Sequence, residues 1–195
     1  MVSTPEFEKS LRERKKISTR AAIRRAALEL FATRGYADTT VEQIADTADI
    51  SPRTFYRYFG VKEAVLLADD QIAPIVAAFA KAPPGLSIVA AYRHGVAEVF
   101  GALTPEERAV FEAGQRLTFA IPEARGLLYS EYIRLIELIT DALTERPDAP
   151  ADELGRRVIA GAIVGVLMAA SDNTPMPEGS LLSALSQLDD KLSGS

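Results

Sequence analysis

Residues 41–59 read VEQIADTADISPRTFYRYF, and their phase decides the fold. Val41, Ile44, Ala45 and Ala48 recur at i, i+3, i+4 and i+7, the apolar stripe of an amphipathic helix. Thr40 stands at the capping position and Gln43, three residues on, completes a capping box; Thr39 with Glu42 offers the same box one residue earlier. Ser51 then supplies a fresh N-cap, and Pro52 an N1 residue whose missing N–H costs nothing. Only Asp49 and Ile50 separate the two helices. Helices joined by so brief a turn must cross steeply, and small Ala45 permits their close approach. The pattern is a helix-turn-helix.

Within 51–59 four residues are aromatic and two are arginines, in a chain with no tryptophan and 7% aromatics. Spacing of 100° per residue divides them. Phe55 and Phe59 fall on one side and, with Ile50, anchor the short helix against its predecessors. Arg53, Thr54, Tyr56 and, less firmly by phase, Tyr58 face the other way. Such a face suits a major groove, where arginine donates twice to guanine and hydroxyls reach bases or phosphates. The second helix of a helix-turn-helix is the one placed there.

Working outward, Ile23, Ala27, Leu30 and Phe31 form the stripe of a first helix, with Ser18 or Thr19 as its cap and Gly35 as a left-handed C′ residue. A fourth helix is expected from about 62 to 80, bent where Pro74 removes a backbone donor. PPG at 83–85 breaks the chain. Further helices are expected over 86–102, 105–119, 122–145, 152–171 and 180–192, with a second capping box at Thr104 and Glu107 and a loop at 173–179. The class is all-α, with about nine helices. The expected organisation is an arm over 1–17, a reading head over 18–62 and a second domain over 63–195.

Charge agrees with that division. The net charge is −5, but residues 1–62 hold 12 Lys and Arg against 8 Asp and Glu, while 63–195 hold 10 against 19. The half that carries the helix-turn-helix is the basic one, as contact with a polyanion requires. The absence of cysteine excludes disulfides and thiol chemistry, and a lone histidine, His94, argues against a zinc site. No metal and no cofactor are expected. The N-terminus lacks the apolar segment of a signal peptide, and the run VIAGAIVGVLMAA (158–170) falls short of the roughly 20 residues of a membrane span. A cytoplasmic protein without membrane contact is expected.

The stretch LELFATRGYADTTVEQIADTADISPRTFYRYFGVKEAVL (28–66) resembles the DNA-binding signature of the TetR family of bacterial transcriptional repressors, almost position by position. The resemblance covers about a third of the chain. It implies that Thr39 and Thr40 bond backbone phosphates and that Ser51, Pro52, Arg53 and Thr54 meet the groove edge, with Arg53 the main base reader. Tyr56 and Tyr58 would clamp phosphates and Lys62 would add another contact. Arg12, Arg14, Lys15 and Lys16 would form a basic arm that either reaches an adjacent groove or takes no fixed structure. Plainer roles stand beside these: Thr40 as a helix cap, Tyr58 packed on the first helix, Lys62 as a solvated charge. Two departures are visible. Asp49 stands where the family commonly has glycine, and aspartate tolerates the left-handed region better than most residues. Gly60-Val61 stand where a capping Ser or Asn is common, which leaves the start of helix four uncapped.

The resemblance also implies a C-terminal domain that dimerises and binds a small molecule. The candidate effector site comprises Phe79, Tyr92, His94, Phe100, Phe111, Gln115, Arg116, Phe119, Tyr129 and Tyr132, aromatic walls with a few polar groups. Candidate dimer contacts are Ile163, Leu167, Leu181 and Leu185, on the last two helices. Gly161-xxx-Gly165 reads as close helix packing. The segment 116–145 resembles, more weakly, a subgroup thought to bind acyl-CoA-like molecules, so the expected effector is small and apolar or acyl-type.

The expected protein is a homodimeric, ligand-responsive repressor on a palindromic double-stranded DNA operator. An effector-free DNA-binding protein is the alternative. A helical hydrolase or transferase is a remote one, because no nucleophile stands at a recognisable spacing from a base.

Overall fold

The computed structural model describes residues 4–67, 69–171 and 178–193. Arg12 and Arg14 lie in a stretch whose side chains fall outside this description, as does most of the expected 173–179 loop. Among the described residues there are nine α-helices and no strand. The chain divides into two compact units, Met1–Asp70 and Gln71–Ser195.

In the first unit α1 (Thr4–Arg34) starts well before the expected Ser18 or Thr19 cap. No glycine or proline interrupts residues 6–34, and the Thr19 hydroxyl donates back to the Lys15 carbonyl within the helix instead of capping it. Gly35, at φ +85°, ends α1, and its N–H bonds to the Phe31 carbonyl. Then come α2 (Val41–Thr47) and α3 (Pro52–Phe59). Thr40 and Gln43 form the capping box and Thr39 does not take part. The turn after α2 is a Schellman motif: Ile50 N–H bonds to Ala45 O and Asp49 N–H to Asp46 O. It requires a left-handed residue at Asp49, which adopts φ +52°. Ile23, Ala27, Phe31, Ile44, Ala45, Phe55, Val65 and Leu66 form the buried interior of this unit.

The expected fourth helix is split. Residues Glu63–Leu66 form a single 3-10 turn with no side-chain cap, and α4 proper spans Asp69–Ala80. Gly60, at φ +74°, ends α3, and no capping side chain follows to start a longer helix at Lys62. Pro74 lies inside α4.

The second unit continues with α5 (Ile88–Gly101), α6 (Pro105–Ala120), α7 (Pro122–Ala142), α8 (Glu153–Ser171) and α9 (Glu178–Ser193). α7 packs on α6 and α8, and α9 on α5 and α8. Phe79, Tyr92, Val96, Ile139, Leu143, Ile163, Val164 and Leu185 fill the core. α5 crosses α4 at Gly95, where a Cβ would sit 2.8 Å from the Ile75 carbonyl oxygen and 2.9 Å from the Phe79 nitrogen. Only glycine permits so close an approach of two backbones. Arg146, buried, grips Asp148 through two 3.0 Å bonds and also donates to the Phe79 and Leu86 carbonyls, closing the ends of α4 and the following loop. By length and composition alone α8 is long and apolar enough to cross a membrane; in this fold it lies against α7 and α9.

Candidate nucleic-acid interface

Recognition begins with how α3 is presented. The Ser51 side chain accepts a bond from the Thr54 N–H at 3.2 Å, and the two hydroxyls lie 3.0 Å apart, so Thr54 is tied into the cap. Pro52 occupies the first turn and is exposed. Phe55 is fully buried and stacks at tilted geometry with Phe59, 5.4 Å between centroids. That fixes the phase. Arg53, Tyr56 and Arg57 are exposed, while Tyr58 and Phe59 are half-buried and Tyr58 carries Arg57 over its ring. Arg53, Thr54 and Tyr56 therefore share an accessible side of one capped helix.

The threonines at α2 part company. Thr40 is exposed and its hydroxyl accepts from the Gln43 N–H. Thr39, expected on phosphate, is 1% exposed, and its hydroxyl donates to the Gly35 carbonyl at 2.8 Å. The turn after α1 leaves that carbonyl without a helical partner and Thr39 satisfies it, so its side chain is not available to DNA.

Lys62 is half-buried. Its ammonium donates to the Tyr36 and Thr39 carbonyls at 2.9 and 3.0 Å and sits 4.0 Å from the Tyr36 ring centroid. Two of its three donors thus hold the segment that leads into α2. Lys15 and Lys16 lie exposed on α1, inside a helix and not on a loose arm.

Sequence reasoning missed Arg20 and Tyr36. Arg20 donates to the Tyr58 carbonyl and lies over the Phe59 ring. Tyr36 packs edge-on to Phe31 and donates to Glu63. A signal existed for Arg20: it stands three residues before Ile23, on the line of the buried stripe, where a solvated charge does not belong.

Of the expected effector residues in the second unit, Phe79, Tyr92 and Phe100 are buried and Phe111, Gln115, Phe119 and Tyr132 half-buried. Phe79 meets Tyr92, and Phe100 meets Phe111, edge to face. Burial pushes the Tyr92 phenol above its ordinary value. Three of the expected residues lie apart from this core. Tyr129 is 65% exposed, and His94 and Arg116 pair on the surface with Glu98 and Glu112 one turn away. Each sits on the polar side of its helix.

The four residues expected at a dimer contact are buried within the single chain. Ile163, Leu167, Leu181 and Leu185 all lie in the core of their own subunit, in the face that α8 and α9 turn to each other and to α7 or α5. The outer side of α8 instead exposes Leu154, Val158 and Met168.

These features have counterparts. Residues 23–68 match the family described as bacterial regulatory proteins, tetR family, and residues 86–193, more than half of the chain, match the MftR C-terminal domain. The chain belongs to the TetR family. TcmR of Streptomyces glaucescens, an HTH-type transcriptional regulator, is 52% identical over 65 residues, 33% of this chain and 28% of that protein. The chain thus matches under a third of that relative's length. The regulator MftR of Mycobacterium tuberculosis is 24% identical over 162 residues, 82% of this chain and 81% of that one. The crystal structure of Thermus thermophilus FadR with lauroyl-CoA shares the TetR fold, with a TM-score of 0.50 and 24% identity over 86% of this chain and 90% of that one. This TetR-family protein is a transcriptional regulator with a helix-turn-helix domain, not an enzyme.

Proposed function

We propose that this TetR-family regulator binds a palindromic operator as a homodimer and acts as a repressor released by a small lipophilic or acyl-type effector. One observation carries the DNA contact: α3 is capped at Ser51, anchored by buried Phe55, and turns Arg53 and Tyr56 to solvent. Arg53 reads bases, Thr40, Tyr56 and Tyr58 hold phosphates, and Ser51, Pro52 and Thr54 meet the groove edge. Lys62 chiefly holds the approach to α2 and has one donor left for phosphate.

The partner for the second unit is a second copy of the chain, packed on the outer side of α8. Exposed Leu154, Val158 and Met168 support this, as do Gly161 and Gly165, where open space would admit a neighbouring backbone. A two-fold axis would then present two α3 helices to two half-sites, hence the palindrome.

A lipophilic or acyl-type effector is supported by the aromatic side chains that this unit gathers in one apolar core, Phe79, Tyr92, Phe100, Phe111 and Tyr132. The T. thermophilus FadR structure holds lauroyl-CoA. An effector relieves repression only by its difference in affinity between DNA-competent and incompetent states. The site of action would be the cytoplasm.

Selection of bound duplexes from a random pool, with affinity measured across a salt series, tests the reading. The expected result is an inverted-repeat site and an affinity that falls steeply with salt. Recovery of no common sequence, with salt-independent binding, would sink it.

A further inference from the structure

α3 has only eight residues, so its last carbonyls depend on donors from outside the helix. The Gly60 N–H takes the Tyr56 carbonyl at 2.9 Å and the Val61 N–H takes that of Phe59 at 2.8 Å. The Tyr58 carbonyl takes Nη1 of Arg20, 3.0 Å away on α1. The same guanidinium lies 4.7 Å from the centroid of the Phe59 ring. Arg20 thus holds both the main chain and a side chain of the last turn, at the helix end where the backbone dipole favours a cation.

We infer that Arg20 is a positioning residue for recognition: it fixes the axis of α3, and through it the place of Arg53 and Tyr56, without itself touching DNA. The inference rests on the DNA-binding reading above. Its physical basis is leverage. Phe55 is the one buried residue of α3, and a helix held at one point can tilt about it. The Tyr58 carbonyl lies about 4.5 Å further along the axis, at 1.5 Å per residue. A second hold at that distance stops the tilt. Arg53 lies on the other side of Phe55 from Arg20, so release of the far end swings Arg53 against the base edges. A basic residue in the basic half of the chain would ordinarily be counted as a phosphate contact. Here its guanidinium is engaged with a carbonyl and a ring.

Salt dependence separates the two roles. Arg20→Met, which keeps the stem and removes the charge and donors, is compared with the natural protein on its selected operator and on a random duplex. Binding is measured at temperatures where thermal unfolding shows both proteins folded. If Arg20→Met does not fold, Arg20→Gln, which retains a donor, is read in the same way. Positioning predicts a loss of roughly tenfold or more on the operator, comparable to one mispositioned base contact. It predicts a loss under about threefold on the random duplex, because non-specific binding depends on phosphate charge. It also predicts an unchanged slope of log K against log salt. A slope reduced by about 0.9 per subunit would make Arg20 a phosphate contact and overturn the inference. Equal losses on both duplexes, or no loss, would overturn it as well. If the natural protein binds neither duplex in a salt-dependent way, the DNA reading itself has failed.

Discussion

α3 buries Phe55 and turns Arg53, Tyr56 and Arg57 to solvent; α8 buries Ala160, Ile163, Val164 and Leu167 and turns Leu154, Val158 and Met168 outward. The first helix writes its orientation in chemistry, since the two sides differ in polarity. The second is apolar on both sides, and which side faces inward depends on where α7 and α9 lie. A helix with one apolar side needs one neighbour. A helix with two, standing at the edge of its unit, implies a second neighbour outside it.

The comparison breaks most sharply on α8. Ile163→Ala should destabilise the subunit by about 2–5 kcal/mol, the range for opening a cavity in a packed core. Val158→Asp, five residues earlier on the outer side, should leave urea unfolding of the isolated subunit nearly unchanged while converting the proposed dimer to monomer in sedimentation. If the two results exchange places, the inner and outer sides have been assigned the wrong way round.

A smaller effect sharpens the account of the head. Asp49 adopts φ +52° in the turn between α2 and α3, where glycine carries no steric cost. Asp49→Gly should raise stability by up to about 1 kcal/mol in thermal unfolding, less the added entropy of the unfolded chain. A clear destabilisation would mean that the aspartate side chain itself holds the turn.

Much of the head was legible in the sequence because its signals are local. Thr40 with Gln43, Ser51 with Pro52, and Gly35 each act within four residues of where they stand, and their geometry follows from spacing alone. Signals that depend on distant partners were not legible. Thr39 looked like Thr40 but turns inward because Gly35 leaves a carbonyl to satisfy. Lys62 looked like a charge for DNA and Arg20 drew no assignment, yet both grip carbonyls far along the chain, at Tyr36, Thr39 and Tyr58. In the second unit the aromatics were visible, but not which of them face water: Tyr129 is exposed and Tyr92 buried. The resemblance places a dimer contact on the last two helices, but the apolar run of α8 does not tell which side Ile163 and Leu167 face.

The central claim is that the outward side of α3 reads base sequence. The most direct test is Arg53→Ala, measured for affinity and base preference on the selected operator. The account predicts a loss of about 1–3 kcal/mol and relaxed preference at the contacted base pair, with folding unchanged because Arg53 is exposed. Unchanged affinity and unchanged preference would contradict it.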